Sequence, residues 1–376
     1  MADEAPHGGH LPHGKDEPVA APSLPLLWLT LPESRPGREL AWLAAMPGAD
    51  VTAVGADPTG DPVPFVERPY RRLTRRFVEA GALAWFRDLE SVTVDPAPAW
   101  VASLELCALV TGQAGPLARR IGARQAVLTW GNDARNPLYR LPPYRQALHR
   151  SLGADLVVCL IEAAREHCLE LGFRDEQLAV VLPPLDTERF HPPAQPVEEP
   201  IAAFVSPLAE NKGIDRVLDA WPAVRGAVPD ATLVIAGRGP LEPLVRERAA
   251  ADPSIHFVGS LAGDGVAELL RTVAVFVTAP RPTRVWNEQF GLAYVEAMAS
   301  GVPVVTTECG TNHEAVLAPS IRVPDDVGAI ADGLVHFLGD PALRRRIAPE
   351  LRRVVVDRFE RSQQLAALRA AFDAAG

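Results

Sequence analysis

Two glutamates with a glycine between them carry the most specific chemistry in the chain. They lie in Trp286–Val305, WNEQFGLAYVEAMASGVPVV, where Glu288 precedes Gly291 and Glu296 follows it. The apolar run ending near Thr278-Ala279-Pro280 reads as a strand, and a helix is expected to open near Gly291-Leu292-Ala293. The first amides of a helix have no internal acceptors and carry a partial positive charge, which suits a diphosphate. Gly291 lets the backbone approach such a ligand, because no Cβ intervenes. Carboxylates accept strongly from hydroxyls, so Glu288 and Glu296 fit a ligand with hydroxyls on both sides of its phosphates: sugar, diphosphate, ribose. The helix should stop at Ser300-Gly301, with Pro303 beyond. A third residue stands out by rarity. Of the 37 basic residues only Lys15 and Lys212 are lysines, and Lys15 falls in the N-terminal tail. Lysine and arginine are not interchangeable as phosphate ligands, so Lys212 is a candidate for that role. The plainer alternatives are a solvent-facing helix residue for Glu296 and a loop residue at a helix start for Lys212.

The elements that must position these residues alternate along the chain. Short β-type runs are expected at 24–31, 50–56, 91–94, 125–130, 155–160 and 179–182. HPPAQPVEEP, residues 191–200, holds four prolines and neither a strand nor a helix period, so it reads as a linker. The alternation restarts with strands at 201–205, 231–236, 255–258, 273–278, 302–306 and 320–323, separated by helical patterns at about 214–226, 241–251, 263–271, 291–300 and 327–338. Residues 341–375 read as helical and Arg-rich, with Arg344, Arg345, Arg346, Arg352 and Arg353 expected on a solvated face. The expected fold is α/β: two Rossmann-like parallel-sheet units facing across a cleft, with ligand beyond the carboxyl ends of the strands. The boundaries expected are a tail over 1–22, a first domain over 23–192, a linker at 193–200 and a second domain over 201–354. A C-terminal helix over about 355–376 could pack back on the first.

With these motifs in place, the chain resembles retaining glycosyltransferases of the GT-B fold, family-4 type (glycosyl transferases group 1). The resemblance covers most of the second half. Ser206–Gly213, SPLAENKG, resembles that family's strand-end loop with a diphosphate-binding lysine. IAGRGP, residues 235–240, resembles its I-x-G-x-G-P segment, and IHFVG, 255–259, the strand before its base pocket. Cys309-Gly310 and Glu314-Ala315 fall where the family has a G-x-x-E-V turn. LDTERF, 185–190, resembles the stretch leading into its linker, and Trp130-Gly131-Asn132 weakly resembles a W-E-N triplet. The resemblance implies transfer of a sugar, a hexose above all, from a nucleotide diphosphate sugar to a hydroxyl acceptor, with retention and without a resident metal or other cofactor. It implies that Lys212 contacts the diphosphate, that Glu288 holds hydroxyls of the transferred sugar, and that Phe290, Gly291 and Leu292 offer backbone groups to sugar and phosphate. Glu296 would accept from the ribose, and Gly237 would lie against the donor.

Three departures fall at the cleft. The family usually has an arginine where this chain has Pro207, and Arg238, Arg281 or Arg284 could substitute. Its Gly-rich first loop is replaced by Thr30–Gly37, TLPESRPG. A histidine common near the reacting sugar aligns with Asp95, after the strand expected to end at Val94. These changes favour, as alternatives, an inactive GT-B protein that binds nucleotide sugar or supports a partner. A nucleotide-sugar epimerase or phosphorylase is disfavoured by the EQFG stretch. On the acceptor side Asp95, Trp130 and Asn132 are candidates, with Tyr139 and Tyr144 as further lining. Pro69–Phe86 reads as an amphipathic helix, its arginines opposite Tyr70, Leu73, Phe77 and Ala80, that could touch an anionic membrane or an acidic acceptor; the plainer reading is a surface helix packed on the sheet.

Bulk properties agree. The chain has 376 residues, enough for two domains, and 48% hydrophobic residues. A net charge of −10 argues against nucleic acid as a partner. Residues 1–22 lack the apolar centre of a secretory signal, and their histidines (His7, His10, His13) read as a solvated leader more than as a metal site. Cys107, Cys159, Cys168 and Cys309 form no C-x-x-C pair and fit a reducing compartment. A cytoplasmic protein is expected, one that could sit peripherally at the inner face of the membrane. Asp325-Asp326 reads as a loop or helix cap.

Overall fold

A computed structural model of the chain describes residues 22–31, 37–56, 63–72, 83–133, 136–284 and 286–376. The expected tail, apart from Pro22, and most of the substituted first loop lie outside the described residues. In chain order the first half runs β1 (Leu24–Leu29), α1 (Arg38–Ala45), β2 (Ala49–Gly55), β3 (Phe65–Glu67), β4 (Tyr70–Arg72), β5 (Ala84–Phe86), β6 (Trp100–Leu104), α2 (Thr111–Ile121), β7 (Arg124–Thr129), α3 (Pro142–Ser151), β8 (Leu156–Cys159), α4 (Glu162–Glu170) and β9 (Leu178–Val180). The second half runs β10 (Ile201–Val205), α5 (Ile214–Ala227), β11 (Thr232–Ala236), α6 (Glu242–Ala251), β12 (Ile255–Gly259), α7 (Gly263–Leu270), β13 (Val275–Thr278), α8 (Leu292–Ala299), β14 (Val304–Thr307), β15 (Ile321–Val323), α9 (Val327–Leu338), α10 (Pro341–Phe359) and α11 (Arg361–Ala375).

Two parallel sheets result. The first has the order β3-β2-β1-β6-β7-β8-β9 and the second β12-β11-β10-β13-β14-β15. Their central strands are near-continuous apolar runs, such as VLT in β7 and VFVT in β13, because helices cover both faces. In each sheet the order reverses beside the first strand, and that switch point opens a crevice at the carboxyl ends.

Three expectations are corrected. The strand expected at 91–94 is a single 3-10 turn, Leu89–Ser91, followed by loop. Leu89 and Val92 are buried there, plugging the core beside Phe86 and Val101 without pairing. The strand is β6, whose apolar residues run on toward α2 with no turn signal to mark its end. The helix expected over 69–86 begins and ends as strands: Tyr70 pairs with Phe86 and Arg72 with Ala84, antiparallel. Residues 73–82 lie outside the described residues.

The Arg-rich C-terminal stretch is also not one solvated helix, although Arg345, Arg346 and Arg353 are exposed as expected. It breaks at Glu360, whose carboxylate accepts from the Gln363 amide and caps α11. Arg344 is buried and donates to the carbonyls of Phe337, Leu338, Val197 and Glu198. Arg352 donates to those of Thr187, Phe190 and Ala299. Arg344 thus fastens the Pro-rich linker, where the prolines supply no N–H of their own, and Arg352 fastens the stretch leading into it to the end of α8. Beyond the break α11 crosses to the first sheet, where Phe372 meets Trp100 edge-on at 5.1 Å. Asp326 caps α9 at the Ala329 amide, and Asp325 pairs with Arg216.

Candidate functional site

Lys212 is carried by the loop between β10 and α5. Gly213 after it adopts φ +71°, and a Cβ there would run into the Ala279 carbonyl, so this loop lies hard against the end of β13. Arg281 braces the contact: its guanidinium donates to both Asp215 oxygens (2.9 and 3.1 Å) and to the Glu210 carbonyl at 2.8 Å. That commitment removes Arg281 as a substitute for the arginine missing at position 207. Arg284 is exposed and does not line the cavity described below.

The Lys212 ammonium lies 2.6 Å from a Glu288 carboxylate oxygen and 4.5 Å from the Trp286 ring centre. Both members of the ion pair are largely shielded, so each offsets the cost of burying the other. The Glu288 loop is held from behind. Its carbonyl accepts from the Thr311 amide at 3.0 Å, and Gly310 leaves room for that carbonyl where a Cβ would collide. Gly291 has φ +86° and forms the N-cap of α8, with Tyr294 packed where its Cβ would stand. The Phe290 ring points into the core, 6.1 Å from Trp130 and 5.6 Å from Phe359, so only its backbone is left for a ligand. Glu296 is on the second turn of α8, 3.8 Å from the Arg38 guanidinium at the start of α1. Burial raises its pKa above the ordinary carboxylate value, and Arg38 and Arg189 oppose the rise.

These groups surround a cavity of about 740 Å³ between the two sheets. Lys212, Glu288, Gly291, Leu292, Glu296 and Gly237 all line it, as do Arg38, Glu39 and Trp130 from the first half. Trp130 donates its indole N–H to Glu39 at 2.9 Å. Asn132 faces the second half, donating to Thr311 Oγ1 at 2.8 Å and to the Glu288 carbonyl at 3.4 Å. Tyr144 is buried, and Tyr139 is spent on His167 at 3.3 Å, so neither is free as acceptor lining. His167 lies under Gly131, and burial lowers its pKa to about 4.

Asp95 is not in this site. It precedes the amino end of β6, whereas the cleft lies at the carboxyl ends; the residue leaving β6 there is Glu105. Glu105 adopts φ +66° and accepts from Thr129 Oγ1 at 3.0 Å and from the Trp130 amide at 3.1 Å, holding the Trp130 turn. Nothing in the sequence marks it: an acidic residue between Leu104 and Leu106 reads as a break in an apolar run. Glu314 is a second such residue. Its carboxylate accepts from the amides of Glu162 at 2.7 Å and Ala163 at 2.8 Å, capping α4 across the two halves. Among the described residues no three His, Cys, Asp or Glu side chains converge as a cation site would need, and no helix is long and apolar enough to cross a membrane.

The model of the family described as "Glycosyl transferases group 1" matches residues 199–340. A Corynebacterium glutamicum protein, GDP-mannose-dependent monoacylated alpha-(1-6)-phosphatidylinositol monomannoside mannosyltransferase, is 31% identical over 262 residues, 62% of this chain and 67% of the relative. The chain belongs to the group 1 glycosyltransferases. A Mycolicibacterium smegmatis member, GDP-mannose-dependent alpha-(1-6)-phosphatidylinositol monomannoside mannosyltransferase, is 32% identical over 248 residues, 60% of this chain and 64% of that one. Matches to the first curated relatives span between about a third and two thirds of their length. Among solved structures, Anabaena HepE in complex with UDP superimposes with a TM-score of 0.72 at 16% identity, over 93% of this chain and 100% of that one. Two parallel sheets joined in this way are the GT-B fold of the group 1 glycosyltransferases.

Proposed function

We propose that the chain transfers mannose from GDP-mannose to a hydroxyl of a phosphatidylinositol-type lipid, with retention of anomeric configuration. The observation that carries the transferase reading is the Lys212–Glu288 pair, 2.6 Å apart, on the cavity wall beside the first amides of α8. The choice of donor and acceptor rests on the names of the relatives in Corynebacterium and Mycolicibacterium. Without ligand the two charges satisfy each other. A bound donor replaces both partners at once: its diphosphate takes the ammonium, and a sugar hydroxyl donates to the carboxylate. Glu296 accepts from the ribose, and Gly237 and Gly291 let backbone meet the ligand. In transfer the bond from C1 to the β-phosphate oxygen breaks and a bond from C1 to the acceptor oxygen forms. The hydroxyl proton is released with the nucleoside diphosphate. Lys212 and the helix amides act on the charge that develops on the leaving oxygen. On this reading residues 23–192 carry the acceptor and 201–354 the donor, joined by 193–200. No resident metal is used, and the protein works in the cytoplasm, peripherally at the inner face of the membrane.

Titration calorimetry with GDP-mannose, UDP-glucose and ADP-glucose tests the site. Saturable binding of GDP-mannose is expected, weakened about tenfold or more by Lys212→Ala and by Glu288→Ala. Absence of binding of every donor at millimolar concentration overturns the reading. Pro207 favours a second reading, donor binding without turnover. That reading predicts saturable GDP-mannose binding but no GDP release when phosphatidylinositol mannoside is added.

A further inference from the structure

The charges lining the cavity are unequally committed. Its cations are Arg38, Lys212 and Arg238, and its carboxylates are Glu39, Glu288 and Glu296. Lys212 is paired with Glu288, and Arg38 faces Glu296 at 3.8 Å. Among the described residues the Arg238 side chain has neither a hydrogen bond nor an ion pair, although it borders the cavity. An unpaired guanidinium on a concave wall is a ready anion ligand.

Its place in the fold supplies the second observation. The loop after β11 that carries Arg238 lies directly on the Ser206-Pro207-Leu208 loop. The Ser206 amide donates to Ala236 at 3.2 Å, the Leu208 amide to the Arg238 carbonyl at 2.9 Å, and the Leu241 amide to Leu208 at 2.9 Å. Gly237 and Gly239 flank the arginine, and a Cβ on either would collide with the carbonyl of Ser206 or Leu208. The backbone of Arg238 is thus pinned beside Pro207, the position from which a cation is missing. Pro207 contributes no side-chain charge and no N–H. Both residues border the same cavity.

We propose that Arg238 is the second diphosphate-binding cation of this protein, supplied by the neighbouring strand-end loop in place of a residue at 207. This rests on the donor-site reading above. The guanidinium fork takes two phosphate oxygens while Lys212 supplies a point charge from the other loop. The site then reads the diphosphate as a unit, so affinity depends on both phosphates being present.

The test is calorimetric titration with GDP, GMP and guanosine, and with UDP, UMP and uridine, on the wild type, Arg238→Ala, Arg238→Lys and the double variant Pro207→Arg/Arg238→Ala. Arg238→Ala is expected to weaken nucleoside diphosphate binding about 10- to 100-fold and to leave nucleoside binding nearly unchanged. Arg238→Lys should fall between, and the double variant should recover most of the loss. Wild-type affinity for the diphosphate in both single variants, with thermal midpoints unchanged, overturns the role of Arg238 and leaves the donor site standing. Loss in Arg238→Ala without recovery in the double variant overturns the claim that positions 207 and 238 serve the same phosphate. If the wild type itself binds neither diphosphate, the donor-site reading fails and this inference falls with it.

Discussion

Glu296 is where burial and neighbouring charge compete. Burial raises its pKa above 4.5, and Arg38 and Arg189 pull it back only in part. A carboxyl whose folded pKa is raised favours the folded state while protonated. Its contribution is full below the unfolded value and is lost as pH rises through the folded one. Binding runs the other way, because the ionised form is the stronger acceptor for ribose hydroxyls. GDP-mannose affinity is therefore expected to fall as pH drops through a midpoint above 4.5. A sugar diphosphate diester has no proton of its own to titrate there, so the step belongs to the protein. Glu296→Gln should flatten it; calorimetry between pH 4.5 and 7.5, as a rough working range, reads the difference. The same step in the variant would assign it to another group. At this scale Lys212, Glu288 and Glu296 stand out in the chain as candidates, one by its rarity and two by the motif around Gly291, and all three line the cavity. Which of the three candidate arginines lies beside Pro207, and the turn-holding role of the Glu105 carboxylate, become visible only when separate loops are brought together.

Helix termini do much of the joining between elements. The N-terminus of α8 faces the cavity, whereas that of α4 is closed by Glu314 from the other half. An anionic acceptor on two first-turn amides satisfies donors that the helix itself cannot, and it opposes the positive end of the dipole. Glu314→Ala is expected to destabilise the protein by about 1–3 kcal/mol in urea unfolding. It should also speed amide exchange at Glu162 and Ala163. Unchanged exchange at those two amides would mean that the cap is not closed in solution. The strand–helix alternation of the second half follows the sequence closely, since each apolar run there is bounded by Gly, Pro or a cap residue. The first half is less legible. β6 has no boundary toward α2, and Tyr70–Arg72 is a strand only because Ala84–Phe86 lies opposite it.

Over the whole molecule one buried cluster runs from Val127 and Val157 in the first sheet through Phe173, Leu185 and Phe190 to the core of the second. The C-terminal chain closes the circuit, since α10 packs on α8 and α11 on the first sheet. Phe372 is fully buried against Trp100, and Arg369 nearby donates to the carbonyls of Pro22 and Pro47. Phe372→Ala is expected to cost about 3–5 kcal/mol. Because the core is continuous, unfolding should remain a single transition, with tryptophan fluorescence and far-UV circular dichroism superimposing. A separate early loss of the first half would show that the two halves unfold independently and that α11 does not couple them.

The sequence by itself determined the α/β class, the family resemblance, the proline-rich stretch ahead of the second sheet and the candidates Lys212, Glu288, Gly291 and Glu296, which the fold brings to one cavity. All of these rest on short-range signals: an apolar period, a proline cluster, a glycine at a helix start, a carboxylate two turns along. Tertiary structure alone decided that Asp95 lies at the wrong end of its strand and that Arg281 is a brace. It also decided that Asn132 and Glu314 span the two halves, and that Arg238 is the cation beside Pro207. The reason is physical. A side chain's partner across the cleft is set by sheet order and loop contact over separations of tens to hundreds of residues, and no local pattern encodes it.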